Sequence, residues 1–136
     1  MEHGADIGFE VKSGDLEELF REAGKAVFSV MVDVNNLQAK ESVPLELSAS
    51  TLDDLLYEWL SELVSIANLK NQAYCEFSDL NILETDSGYT LNAVVRGERI
   101  DPDRHELGTE VKAVTYQGLE IEKEKDGWGC RYVVDV

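Results

Sequence analysis

Leu119-Glu120-Ile121-Glu122-Lys123-Glu124-Lys125, then Asp126-Gly127, then Trp128-Gly129-Cys130-Arg131-Tyr132-Val133-Val134 reads as two strands joined by a tight turn. Asp-Gly is a dipeptide whose backbone accepts the positive φ that a two-residue hairpin requires. Beyond the turn, Trp128, Cys130, Tyr132 and Val134 occupy alternate positions, so one face of this strand is buried. The same device appears upstream. Leu80, Ile82 and Glu84 lead into Asp86-Ser87-Gly88, and Tyr89, Leu91, Ala93 and Val95 alternate back. Two hairpins of this kind predict antiparallel pairing.

Toward the N-terminus the period changes from two residues to between three and four. Asp15 stands three residues before Glu18, the spacing of a capping box, and Leu16, Leu19, Phe20, Ala23, Val27, Val30 and Met31 follow at helical intervals. They predict an amphipathic helix of about five turns, ended by Val32-Asp33-Val34-Asn35-Asn36. A second helix begins at Ser50 or Thr51, with Leu52, Leu55, Leu56, Trp59, Leu60, Leu63 and Val64 on its apolar face. Asp53 and Asp54 fall in its first turn, where they complement the helix dipole. Strands from Ile7 to Val11 and from Val43 to Ala49 complete the pattern. The expected fold is α+β: a two-layer domain over residues 1–136, mostly antiparallel sheet, with the two amphipathic helices on one face.

The chain has 28 acidic and 12 basic residues, a net charge of −16. A surface of that sign repels phosphate backbones, which argues against direct nucleic-acid binding and for cations or a basic protein partner. No apolar run approaches the roughly 18 residues of a membrane span, and the opening Met1-Glu2-His3-Gly4-Ala5-Asp6 lacks a signal-peptide pattern, so the expected location is cytoplasmic. Cys75 and Cys130 are too few and too far apart for a thiolate zinc cage, and Cys130 reads as a small buried hydrophobe.

Between the hairpins lies His105-Glu106-Leu107-Gly108-Thr109-Glu110-Val111-Lys112-Ala113-Val114-Thr115-Tyr116-Gln117-Gly118-Leu119. It reads as a polar loop closing on Gly108, then a strand with Val111, Ala113 and Thr115 on one face and Glu110, Lys112 and Val114 on the other. By spacing alone Lys112 is a solvated surface residue, as is Glu41 before the strand from Val43. Asp6 precedes the first strand, while Asp135 and the Val136 carboxylate close the last. If those strand ends lie side by side, three negative oxygen groups converge, an arrangement that a cation neutralises. Hard oxygen donors select calcium, magnesium or manganese over zinc. Taken singly, an Asp before a strand and a free C-terminus are commonplace. His3 and His105 are the only histidines, and lone histidines are more often structural than catalytic. Arg96, Arg99 and Arg104, interleaved with Glu98, Asp101 and Asp103, read as a mixed-charge loop.

The stretch from His105 to Leu119, the opening His3-Gly4-Ala5-Asp6-Ile7-Gly8 and the ending Val133-Val134-Asp135-Val136 together resemble the signature of the archease family, small accessory proteins of the tRNA-splicing RNA ligase. The resemblance runs from end to end. It implies a metal site formed by Asp6, Asp135 and the Val136 carboxylate, with calcium as first choice and magnesium or manganese as alternatives. It implies a partner-activating role for Lys112 and matches Glu41 to an acidic position of the family. Two positions depart: Gly4 replaces a common threonine, removing a hydroxyl that could orient Asp6, and Gln117 stands where histidine is common and cannot carry a proton near neutral pH.

No glycine-rich phosphate loop, nucleophile elbow or His/Cys cluster is present, so an independent enzyme is hard to assemble from these residues. The resemblance implies an activator of the GTP-dependent RNA ligase, promoting its guanylylation and multiple turnover in tRNA splicing. The alternatives are a protein chaperone, a modulator of a tRNA cytosine methyltransferase and, ranked last, a small metal-dependent hydrolase.

Overall fold

The computed structural model describes residues 6–136; the expectations for His3 and Gly4 lie outside them. In chain order the elements are β1 (Asp6–Ser13), α1 (Leu16–Met31), a short 3-10 turn (Val34–Asn36), β2 (Glu41–Ala49), α2 (Leu52–Lys70), β3 (Gln72–Thr85), β4 (Gly88–Arg99), β5 (Ala113–Glu124) and β6 (Gly127–Asp135). The class is α+β with antiparallel pairing throughout. The strands divide into two three-stranded sheets, ordered β1-β6-β5 and β2-β4-β3.

Both helices start where their caps predict. The Asp15 carboxylate accepts the Glu18 N–H at 2.7 Å, and the Thr51 hydroxyl accepts the Asp54 N–H at 3.1 Å. α2 ends at Asn71, whose left-handed backbone (φ 55°) suits a residue that tolerates this conformation. Each helix packs against strands of both sheets, so one core is shared. Leu19, Phe20, Phe28, Leu55, Leu56, Trp59, Leu60 and Leu63 are fully buried there, with Leu91 and Val95 of β4 and Val134 of β6. The large polar-tipped side chains are satisfied inside it. Trp59 Nε1 donates to the Phe20 carbonyl at 2.9 Å, joining α2 to α1, and Tyr132 Oη donates to the Ala23 carbonyl at 2.8 Å, joining β6 to α1. An unpartnered N–H or O–H at these depths would cost about 1–3 kcal/mol.

Two details of β5 differ from the sequence reading, and the turn that follows it is Lys125-Asp126 rather than Asp126-Gly127. The segments expected as separate strands around Lys112 and from Leu119 are one strand, β5, whose pairing with β6 slips between Thr115 and Glu120. Gly118 lies in this bulge at φ +74°, a left-handed conformation that favours glycine. The strand also starts later than the alternation suggests. Val111 is fully buried, Lys112 and Ala113 are exposed, and Val114 is buried again, so Val111 and Ala113 do not share a face. The ladder begins only at Ala113. Val111 belongs to the preceding loop, where its carbonyl accepts from Asn68 Nδ2 at 3.2 Å.

Candidate functional site

In register, Asp6 of β1 pairs with Asp135 of β6, and Asp135 pairs with Ala113 of β5. The ends of all three strands of this sheet therefore meet at one corner. Residues directly opposite across an antiparallel pair carry Cβ atoms about 4.5–5.5 Å apart. Asp6, Gly8, Glu10 and Lys12 form the exposed face of β1, while Ile7, Phe9 and Val11 turn toward the core. Period-two alternation thus puts the Asp6 carboxylate on the solvent face, opposite that of Asp135. Val136 follows Asp135 and is half-buried.

Lys112 joins the same corner through its backbone. Its N–H donates to the Asp135 carbonyl at 2.8 Å. The loop that brings it there is fastened to the end of α1: Gly108 N–H donates to the Met31 carbonyl at 2.9 Å and Thr109 N–H to Val30 at 2.7 Å. A Cβ on Gly108 would stand 2.3 Å from the Val30 oxygen, so this approach requires a residue without one. Lys112 lines an open groove of about 470 Å³ with Met31, Ala67, Ile100, Leu107 and Gly108.

Glu41 belongs to the other sheet, where it opens β2 opposite Gly97 of β4. It lines a second groove, of about 490 Å³, with Lys40, Glu98, Arg99 and Arg104, and Ile100 borders both grooves. The arginines do not form one cluster. Arg96 pairs with Asp79 at 3.0 Å, whereas Arg104 binds Glu98.

His105 is structural in its contacts: buried, with Nε2 3.0 Å from the Glu98 carboxylate. Burial pushes the Glu98 carboxyl up, but the Gln38 N–H, His105 and the Arg104 guanidinium outweigh it and hold the group below its ordinary value. Spacing gives Glu98 no distinction, because nothing local marks it as buried. The cysteines are poor nucleophiles. Burial pushes the Cys130 thiol up to about 12, and burial together with the Glu76 and Glu98 carboxylates raises that of Cys75.

The donor set at the β1–β6 end fits a hard divalent cation. Two carboxylates of like charge face each other at one register position, a destabilising pairing that a bound cation reverses. It suits zinc less well, since zinc favours sulfur and imidazole ligands. Among the described residues no three His, Cys, Asp or Glu side chains gather closely enough to hold a metal. No helix among the described residues is long and apolar enough to cross a membrane.

Comparison with known proteins agrees over the full length. Residues 1–136 match the Archease protein family (MTH1598/TM1083). The protein archease of Pyrococcus abyssi is 40% identical over 136 residues, covering 99% of this chain and 95% of that one. The solution structure of protein 1598 from Methanobacterium thermoautotrophicum is 34% identical and superposes with a TM-score of 0.83, over 100% of this chain and 96% of that one. A crystal structure of an archease from Thermotoga maritima, described as a possible chaperone, is 23% identical with a TM-score of 0.68, covering 100% of this chain and 94% of that one. At that identity it speaks for the fold alone.

Proposed function

Because this chain belongs to the archease family, we propose that it is an accessory protein that activates a GTP-dependent tRNA-splicing RNA ligase, promoting guanylylation and multiple turnover. The observation that carries this reading is the corner itself. Asp6 and Asp135 are cross-strand partners, and the Lys112 N–H is bonded to the Asp135 carbonyl. Of the positions that the family resemblance singles out, Asp6, Lys112 and Asp135, distant in sequence, thus meet at one sheet end, while Glu41 stands on the other sheet.

The chemistry each residue brings is distinct. Asp6 and Asp135 present hard oxygen donors on the solvent face, with the Val136 carboxylate as the third position named by the resemblance. A divalent ion, when bound, supplies positive charge opposite phosphate oxygens during nucleotidyl transfer. Lys112 carries an exposed ammonium on a residue whose backbone is fixed at this corner, so it offsets phosphate charge without requiring the acidic surface as a whole to bind nucleic acid. Glu41, in the adjoining groove, offers a further carboxylate to a basic partner.

The test is multiple-turnover ligation by the cognate ligase at limiting metal and GTP, with and without this protein. Stimulation that disappears in Asp6→Ala and Asp135→Ala variants is expected. Full stimulation by either folded variant would overturn the metal-placement role. Aggregation suppression that is indifferent to Asp6 and to metal, with no effect on ligation, would favour the chaperone reading suggested by the description of the Thermotoga maritima protein.

A further inference from the structure

Among the described residues, Glu98 and His105 are the acidic and basic side chains that are buried, 4% and 3% exposed. A carboxylate taken out of water is tolerated only with a full set of partners, and Glu98 has one. Oε2 accepts the Gln38 N–H at 2.7 Å and lies 3.0 Å from His105 Nε2, while Oε1 binds the Arg104 guanidinium and stands 3.9 Å from Lys40 Nζ. The imidazole is oriented from its other side. The Asp101 N–H donates to Nδ1 at 2.9 Å, so Nδ1 carries the lone pair. The ring proton then sits on Nε2 and points at Glu98.

What these bonds hold matters more than their number. Gln38 begins the lead into Glu41, along which the Lys40 N–H donates to the Gly97 carbonyl at 2.9 Å. His105 begins the lead into Lys112, an irregular segment that is tied farther along to the end of α1 by the Gly108 and Thr109 N–H groups and by the isolated bridge between Val32 and Leu107. The same oxygen atom, Glu98 Oε2, therefore fastens the start of both segments.

We infer that the buried Glu98–His105 pair is a positioning unit, which sets the Glu41 segment and the Lys112 segment in one fixed arrangement relative to each other. The structural half of this inference stands by itself; its consequence for ligation rests on the activator reading above. Neither residue need touch the partner. They act by removing the freedom of two segments whose ends carry the functional side chains, as positioning residues do.

Hydrogen exchange and ring-nitrogen NMR on the full ¹⁵N-labelled chain test it. In the wild type the His105 ring is expected as the Nε2–H tautomer. In Glu98→Gln the amides of Lys40 and Lys112 are expected to exchange about tenfold faster or more, over and above the global change that the core amide of Tyr132 reports. Should Glu98→Gln not fold, His105→Gln decides, since it keeps a nitrogen that can reach Glu98 but loses the acceptor for the Asp101 N–H. An Nδ1–H ring, or unchanged exchange at both lysine amides in a folded variant, overturns the inference. In ligation assays maximal stimulation at saturating protein should fall by about ten- to a hundredfold, with the half-saturating concentration nearly constant. Wild-type stimulation alongside faster exchange would overturn the functional half. If Asp6→Ala retains full stimulation the metal-placement part of the activator reading fails, and the exchange result still decides the role of the pair.

Discussion

Lys112 and Asp135 are bonded through their backbones, the N–H of one to the carbonyl of the other at 2.8 Å. The next residue, Ala113, opens β5 opposite that same Asp135, and Asp6 faces it from β1. A lysine on an irregular loop is thereby held as firmly as a strand residue, while its side chain remains exposed. Position and freedom are divided within one residue: the backbone belongs to the sheet and the ammonium to solvent.

Lys112→Ala should therefore separate stability from function. Among the described residues the lysine side chain makes no ion pair, and exposed side chains without a structural role usually matter by less than about 0.5 kcal/mol. The melting temperature should stay close to wild type while ligase stimulation is lost. A substantially lowered melting temperature would show that the side chain has a structural partner, and full stimulation would remove Lys112 from the activating set.

Two glycines separate strain from collision. Gly118 has φ +74°, and a Cβ added there would meet nothing within 4 Å, so Gly118→Ala faces only backbone strain, about 1 kcal/mol. At Gly108 the added carbon would lie 2.3 Å from the Val30 oxygen, and the loop would have to leave the Met31 carbonyl that it binds. Denaturant unfolding should show the larger loss for Gly108→Ala. Equal losses would mean that the loop can shift away from α1 without penalty.

Much of the fold is legible in the sequence because it is local. The Asp15 and Thr51 caps, the leucine stripes and the turn at Asp86-Ser87 each depend on neighbours within a few residues and stand where their spacing puts them. The second turn falls on Lys125-Asp126, one residue before Asp126-Gly127, with Gly127 opening β6 opposite Glu124. The division into two sheets depends on pairings distant along the chain, β1 with β6 above all, and no local pattern encodes those. The start of β5 escapes the alternation for the same reason. Val111 has the spacing of a strand residue, but α2 supplies its partner through Asn68. Asp53 and Asp54 read as dipole-complementing residues, yet they also bind the Ile121 N–H and the Tyr116 hydroxyl, fastening α2 to the bulged strand. The convergence of Asp6 and Asp135 is conditional on strand order, which only the register supplies. Glu98 carries no mark in the sequence, since only the fold makes it buried.

Glu98 also gives the acid limb of stability a specific origin. Its carboxyl lies lower in the folded chain than its ordinary 4.5, so its bonds to the Gln38 N–H and His105 and its pairing with Arg104 stabilise the fold fully above that value. The contribution is lost as the pH falls through the lowered folded value. Glu98→Gln should flatten the pH dependence of unfolding free energy on the acid side of about pH 5. It should also cost about 1–3 kcal/mol near neutrality, because an amide serves the Gln38 N–H, the His105 ring and Arg104 less well than the buried carboxylate does. An unchanged acid limb in the variant would assign the pH dependence to other carboxylates.

The facing pair Asp6 and Asp135 predicts opposite responses with and without a divalent cation. In a chelator the two carboxylates repel, and opposed like charges across strands cost a few tenths of a kcal/mol to about 1 kcal/mol. Asp6→Asn removes that repulsion while keeping the side-chain shape, so the metal-free variant should melt no lower than the wild type. Adding calcium should reverse the order, because a cation that binds only the folded state stabilises it by about 2.7 kcal/mol at a hundred times its Kd. The wild type should then melt higher and the variant should barely respond. Magnesium and manganese titrations would rank the ions, since the smaller magnesium gives up its waters reluctantly and suits a site with few protein ligands. An identical calcium response in wild type and Asp6→Asn would mean that the cation acts elsewhere on this acidic surface, and the corner would lose its metal.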